Sequence, residues 1–239
     1  MPNYDRTFNF SAGPAGLPLP VLEQAQLEML NFRSCGASIL EISHRSATFS
    51  DVLDSARNGI RQLLGANDDF EVLFLQGGSR LQFSMVPINL LQSETDRGNY
   101  VVTGTWSDKA LQEAANCHAT DIIWSGQKNG YSDLPDQTDL QSLVTNDAAY
   151  VYYTSNETIQ GIQFQDDLSF ASVPTICDAS SDLLSRPIDI NKYGMIYACA
   201  QKNAGPAGVT IVVIRKDLLN PTINECPSYL NYRNHADAN

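Results

Sequence analysis

Basic residues are scarce in this chain of 239: 15 Lys and Arg stand against 27 Asp and Glu, for a net charge of -12. Phosphate backbones want a basic face, so nucleic acid is not the expected partner. An anionic small molecule would need a local cationic cluster working against the overall field. Histidine is scarcer still, and the three present have no ligand spacing, so a metal site is not expected. No apolar run approaches the roughly 20 residues of a membrane helix. The opening MPNYDRTFNFSAGP lacks the basic-then-apolar order of a secretory signal. The five cysteines form no C-x-x-C pair and are odd in number. Reduced thiols in the cytoplasm are expected rather than a disulfide framework. Internal repeats and low-complexity linkers are also missing.

What is present is a globular composition, 43% hydrophobic, in a length that suits one large α/β domain. Residues 20–32 place Val21, Leu22, Ala25, Met29 and Phe32 on one helical stripe, with Pro20 suited to the first helical position. Residues 50–64 repeat the pattern with Val52, Leu53, Ala56, Ile60 and Leu63, and Gly65 reads as the stop. Strands are then expected at 70–75, 100–103, 121–124, 150–154, 174–177, 195–200 and 209–214, with helices at about 81–91 and 107–117. Alternation of this kind predicts an α/β fold around a mostly parallel sheet. Ligands of such sheets lie beyond the carboxyl ends of the strands.

The residues at those ends are therefore the candidates. Gln76-Gly77-Gly78-Ser79-Arg80 joins a strand to a helix start, where free N–H groups and a partial positive charge make a phosphate cradle; a plain connection reads the same way. Trp106 follows the next strand and is either a ring stacker or a core residue. Thr158, in SNETIQG, donates to a ligand oxygen or caps a turn. Asp178 closes the apolar run VPTIC. A carboxylate there needs a cation, such as a protonated pyridine nitrogen, unless it caps a helix. Lys202 follows YACAQ, an unusual place for a lysine, and a desolvated amine there is a nucleophile able to form a Schiff base. A phosphate cradle, a ring stacker, an acid and an amine together are what pyridoxal phosphate (PLP) requires.

Several longer segments carry a family likeness. FNFSAGPAGLP, SILEISHRS, FLQGGSRLQFSMVPINLL, TGTWSDKALQEA, YVYYTSNETIQGIQF and DASSDLLSRP…AQKNAGPAG resemble the phosphoserine aminotransferases, class V enzymes of PLP fold-type I. The resemblance runs the length of the chain. It implies a three-layer α/β/α large domain over 17–239, incomplete at its C-terminal end, with an N-terminal segment at 1–16. It implies that Lys202 holds the cofactor and shuttles a proton, that Asp178 pairs with the ring nitrogen, that Trp106 stacks and that Thr158 bonds near the phenolic oxygen. Ser79, Arg80 and Gln201 would line the phosphate and cofactor pocket, with Arg80 also near substrate. His44 and Arg45 would bind substrate anions, where a guanidinium grips oxyanions bidentately, or would form a loop salt bridge.

The implied reaction moves the amino group of L-glutamate to 3-phosphohydroxypyruvate, giving O-phosphoserine and 2-oxoglutarate for serine biosynthesis. A related acceptor in vitamin B6 (pyridoxine) synthesis stays open. The implied assembly is a homodimer. The family pattern continues past HADAN into an S-M-x-N-T-P-P-T stretch and a small C-terminal domain, so a chain that folds and holds PLP with little turnover is the alternative. Cysteine desulfuration, a different class V chemistry, would want a mobile loop cysteine near substrate, and no cysteine here stands in such a motif.

Overall fold

The computed structural model describes residues 4–219 and 226–238. Two helices come first, α1 (Leu19–Glu28) and α2 (Ala47–Leu64). Ser46 starts α2 by accepting the Phe49 N–H at 3.2 Å, and Gly65 ends it in the left-handed region at φ 66°, as its sequence position suggests. The alternation follows: β1 (Phe70–Gln76), α3 (Arg80–Leu90), β2 (Arg97–Val102), α4 (Thr105–Ala115), β3 (Thr120–Ser125), α5 (Gln137–Leu143) and β4 (Ala148–Thr154). A short hairpin comes next, β5 (Asn156–Glu157) and β6 (Ile162–Gln163). Then come β7 (Thr175–Asp178), β8 (Met195–Cys199), β9 (Val209–Arg215) and α6 (Tyr232–Asp237).

Seven strands form one sheet in the order β1-β9-β8-β7-β4-β2-β3. The pairings among β3, β2, β4, β7 and β8 are parallel, while β9 runs antiparallel to both its neighbours. The sheet is thus mixed and mostly parallel, as expected. Its two faces follow from strand alternation. Val101, Tyr153, Ile196 and Val213 point to one side and pack with Ile60 and Leu64 of α2 and Leu140 of α5. Tyr100, Tyr152, Tyr197 and Val212 point to the other and pack with Phe83 of α3, Ala110 of α4 and Tyr232 of α6. That gives three layers with a core on each side of the sheet.

The lead-in helices depart from their sequence patterns. α1 ends at Glu28 rather than 32 and buries none of its residues; Val21 and Met29 are exposed, and only Phe32, beyond the helix, enters the core. Local hydrogen bonds explain the early stop. Asn31 Oδ1 accepts the Gly36 N–H at 2.8 Å and the Phe32 N–H bonds Ala37 O at 2.8 Å, so the chain turns instead of winding on. In α2 the buried positions are Ile60 and Leu64, while Ala56 and Leu63 face outward.

One close packing is directly testable. A Cβ on Gly98 of β2 would lie 2.5 Å from the Tyr150 hydroxyl oxygen, which is hydrogen-bonded to Tyr100 at 2.8 Å. Gly98→Ala is expected to destabilise the fold by about 1–3 kcal/mol, read as a lower urea midpoint with an unchanged slope. An unchanged midpoint would show that the tyrosine pair can yield.

Candidate active site

The carboxyl ends of the strands open into a cavity of about 590 Å³. Seven of the nine residues singled out from sequence line it: Ser79, Arg80, Trp106, Thr158, Asp178, Gln201 and Lys202. Gly78, Ser79 and Arg80 enter at the start of α3, and Gly77 makes the turn with φ 88°. Among the described residues the N–H groups of Gly78, Ser79 and Arg80 have no acceptor, so an anion there would meet free donors. Trp106 stands in the first turn of α4, and its indole Nε1 donates to Thr158 Oγ1 at 3.2 Å. The Lys202 Nζ lies 5.4 Å from the Trp106 ring centroid. Ala12 and Gly13 close one side of the cavity. A Cβ on Gly13 would come within 3.1 Å of Lys202 Cγ, and Ala15 N–H bonds Gln201 O at 2.9 Å, so the N-terminal segment is laid against the lysine loop.

Asp178 is buried at the end of β7, a central strand, with 3% of its surface exposed. Burial pushes its carboxyl up to about 6; hydrogen bonds from Ser180 and the nearby Lys202 charge pull the other way without cancelling it. Those bonds, from the Ser180 N–H at 2.9 Å and from the Ser180 hydroxyl, both fall on Oδ1. Oδ2 is left without a donor among the described residues. Ser79 Oγ in turn lies 2.5 Å from Ser180 Oγ, which also accepts the Cys199 N–H at 3.3 Å. A chain of hydroxyls therefore joins the α3 turn to the buried acid.

His44 and Arg45 are not brought to this cavity. They sit exposed in the loop before α2 and do not line it. The alternative reading, a loop salt bridge, is not observed either: among the described residues neither side chain has an acidic partner.

Over residues 7–234 the chain matches the family described as Aminotransferase class-V. The chain belongs to the class-V aminotransferases. It is 51% identical over 98% of its length to the phosphoserine aminotransferase of Rhodopirellula baltica, spanning 62% of that protein. A solved phosphoserine aminotransferase from Bacillus circulans subsp. alkalophilus superposes with a TM-score of 0.93 at 45% identity, covering 98% of this chain and 64% of the other. The PLP-bound phosphoserine aminotransferase of Trichomonas vaginalis gives 0.88 at 40% identity, with 98% and 65% covered. The chain thus spans less than two thirds of the length of these class-V aminotransferases.

Sequence reading passed over Ser180 and Asn156, which also line the cavity. Ser180 had a signal in the run DASSD directly after Asp178. Asn156 had less, since its Nδ2 reaches Ser181 Oγ at 2.9 Å across 25 residues of sequence.

The raised Asp178 carboxyl has a consequence for this class-V aminotransferase without its cofactor. An Asp carboxyl in the unfolded chain titrates at about 3.9, so between about pH 4 and 6 the folded chain holds the extra proton. Stability from this group is full below about pH 4 and is lost as pH rises through 6, a change of up to about 3 kcal/mol. Asp178→Asn keeps the shape and removes the titration. The cofactor-free variant is expected to melt higher than wild type at pH 8, with the gap closing by pH 4.5. Equal melting temperatures at both pH values would refute the burial cost.

Proposed function

We propose that this chain carries the cofactor site of a phosphoserine transaminase, which transfers the amino group of L-glutamate to 3-phosphohydroxypyruvate and releases O-phospho-L-serine and 2-oxoglutarate. The observation that supports this best is the convergence on one cavity of a buried acid, an indole plane, an amine and a helix start with free N–H groups. That set fits PLP. The Asp178 carboxyl has an oxygen without a donor, and a pyridinium N–H would supply both the donor and the cation that burial demands. The α3 start with Ser79 and Arg80 would take the phosphate. Trp106 would cover one ring face, and Thr158, bonded to the indole, would lie at the ring edge.

PLP, when bound, supplies an electron sink that stabilises negative charge at the substrate Cα. The chain's own groups do the rest. Lys202 would hold the cofactor through its amine, and the same amine is placed to move a proton at the substrate Cα. Asp178 would meet the ring nitrogen as an anion and favour its protonated form. Gln201 would lie beside the phosphate. Arg80, exposed at the cavity mouth and only loosely paired with Glu113 at 3.9 Å, is free to meet an anionic substrate.

His44 and Arg45, which have no acidic partner among the described residues, can meet an anion in the same way, and they serve a cavity only if another copy presents them. A homodimer fits this need. It also fits the apolar side chains left exposed in the first 40 residues, among them Phe8, Phe10, Leu27, Leu30 and Leu40. The five unpaired cysteines are in keeping with the cytoplasm.

A second reading is that the chain binds PLP and turns over little. It is favoured by the placement of His44 and Arg45 away from the cavity that their own chain forms. Spectroscopy separates the two. Protein supplied with PLP is expected to develop a visible band that Lys202→Ala lacks, and O-phosphoserine is expected to discharge that band within one turnover. A band that forms but ignores O-phosphoserine supports the second reading. No band from folded wild-type protein would overturn both.

A further inference from the structure

Glu157 and Gln160 belong to the NETIQG hairpin, stand outside the cavity lining, and have no part in the chemistry above. Glu157 is 1% exposed. Its carboxylate is met wholly by the start of α4: Oε2 accepts the Trp106 N–H at 2.8 Å, and Oε1 accepts the Ser107 N–H at 2.8 Å and the Ser107 hydroxyl at 2.6 Å. Gln160 takes the next group back, accepting the Thr105 N–H at 3.1 Å and donating to Thr105 Oγ1 at 2.8 Å. The first three N–H groups of a helix have no partners within it and carry the positive end of its dipole. Here one hairpin some fifty residues further along takes all three, with a buried negative charge on two of them.

Two more observations tie the same hairpin to the indole. Thr158, between the two clamping residues, accepts from Trp106 Nε1 at 3.2 Å, so main chain and ring are held from one side. Gly104, just before the helix, makes the approach possible. A Cβ there would lie 2.6 Å from both Glu157 Cδ and Gln160 Oε1. Its φ of -179° is open to any residue, so the glycine is required by space and not by backbone conformation.

We propose that Glu157 and Gln160 are positioning residues that set the plane of Trp106 for the cofactor ring, a role that rests on the PLP reading above. A hairpin that merely stabilised the fold would change melting temperature and leave the indole's behaviour toward the cofactor alone.

The chain has two tryptophans, Trp106 and Trp124, so Trp124→Phe leaves Trp106 as the sole tryptophan emitter, read with excitation that spares the tyrosines. PLP added to this parent is expected to quench Trp106 and raise the visible band together. Adding Glu157→Gln removes the charge and leaves one of the two clamped N–H groups facing an amide donor. That protein is expected to expose Trp106 to acrylamide before cofactor is added. It is also expected to bind PLP roughly tenfold more weakly, the scale of one charge-assisted hydrogen bond, with an altered circular-dichroism signal from the bound cofactor. Gln160→Ala should move the same readouts in the same direction by less, and it carries the comparison if Glu157→Gln does not fold. Parental affinity and parental quenching in these variants, whatever their melting temperatures, would overturn the positioning role. A parent that shows neither band nor quenching would overturn the PLP reading, and this role with it.

Discussion

Burial of one carboxylate at the end of the middle of the sheet is the constraint around which the rest is arranged. β7 is flanked on both sides by parallel strands, and its last residue, Asp178, has almost no access to water. A charge in that position is costly unless it meets a cation or several donors. The fold meets part of the cost with the two Ser180 bonds and, among the described residues, none of it with a direct ion pair. The residue of that cost is what a cationic ring can relieve. A cation that met this carboxylate would add to the stability of the fold, the usual relation between a functional site and the fold that carries it.

The tyrosines beneath the cavity belong to the same economy of polar groups. Tyr152 of β4 and Tyr197 of β8 share a hydrogen bond of 2.8 Å across β7, the strand between them, and both feel the Asp178 charge. Burial first, and that charge next, hold their hydroxyls far above the ordinary range, so both stay protonated. Tyr100 and Tyr150 repeat the arrangement one pair away, and Tyr232 of α6 ends the layer on Gln82 at 2.6 Å. Aromatic bodies fill the core while each hydroxyl finds a partner, which avoids orphaned polar atoms in a dry layer. A floor built this way has few ways to rearrange, and it gives the acid a fixed height at the base of the cavity.

How much of this was legible depends on how local the determining interaction is. Lys202, Asp178, Trp106 and the Ser79-Arg80 turn were legible because strand-then-turn patterns place residues at one end of a parallel sheet whatever the details of packing. The α1 stripe misled because periodicity tells which residues share a face, not what that face meets; here no residue of α1 is buried. In α2 the buried face turned a little away from the one read off the sequence, since Ile60 and Leu64 are one turn apart while Leu63 lies off that line. His44 and Arg45 were legible as a family motif. Nothing local says that their own chain does not carry them to its own cavity.

Glu157 marks the limit most sharply. In sequence it is a polar residue in a turn-rich stretch, where a carboxylate is unremarked. Its meaning comes from α4, 51 positions earlier, whose first N–H groups it takes, and from Gly104, whose missing side chain makes room. A cap supplied from so far away leaves no spacing signature of the kind that a Ser or Asp at the helix start would leave. Yet it acts on Trp106, which the sequence alone left open between a ring stacker and a core residue. The ring of Trp106 is only as well placed as the helix turn that bears it. A carboxylate bonded to that turn fixes it better than the indole's own contacts, because a charge-assisted bond to a dry backbone amide is among the stronger anchors available to a side chain.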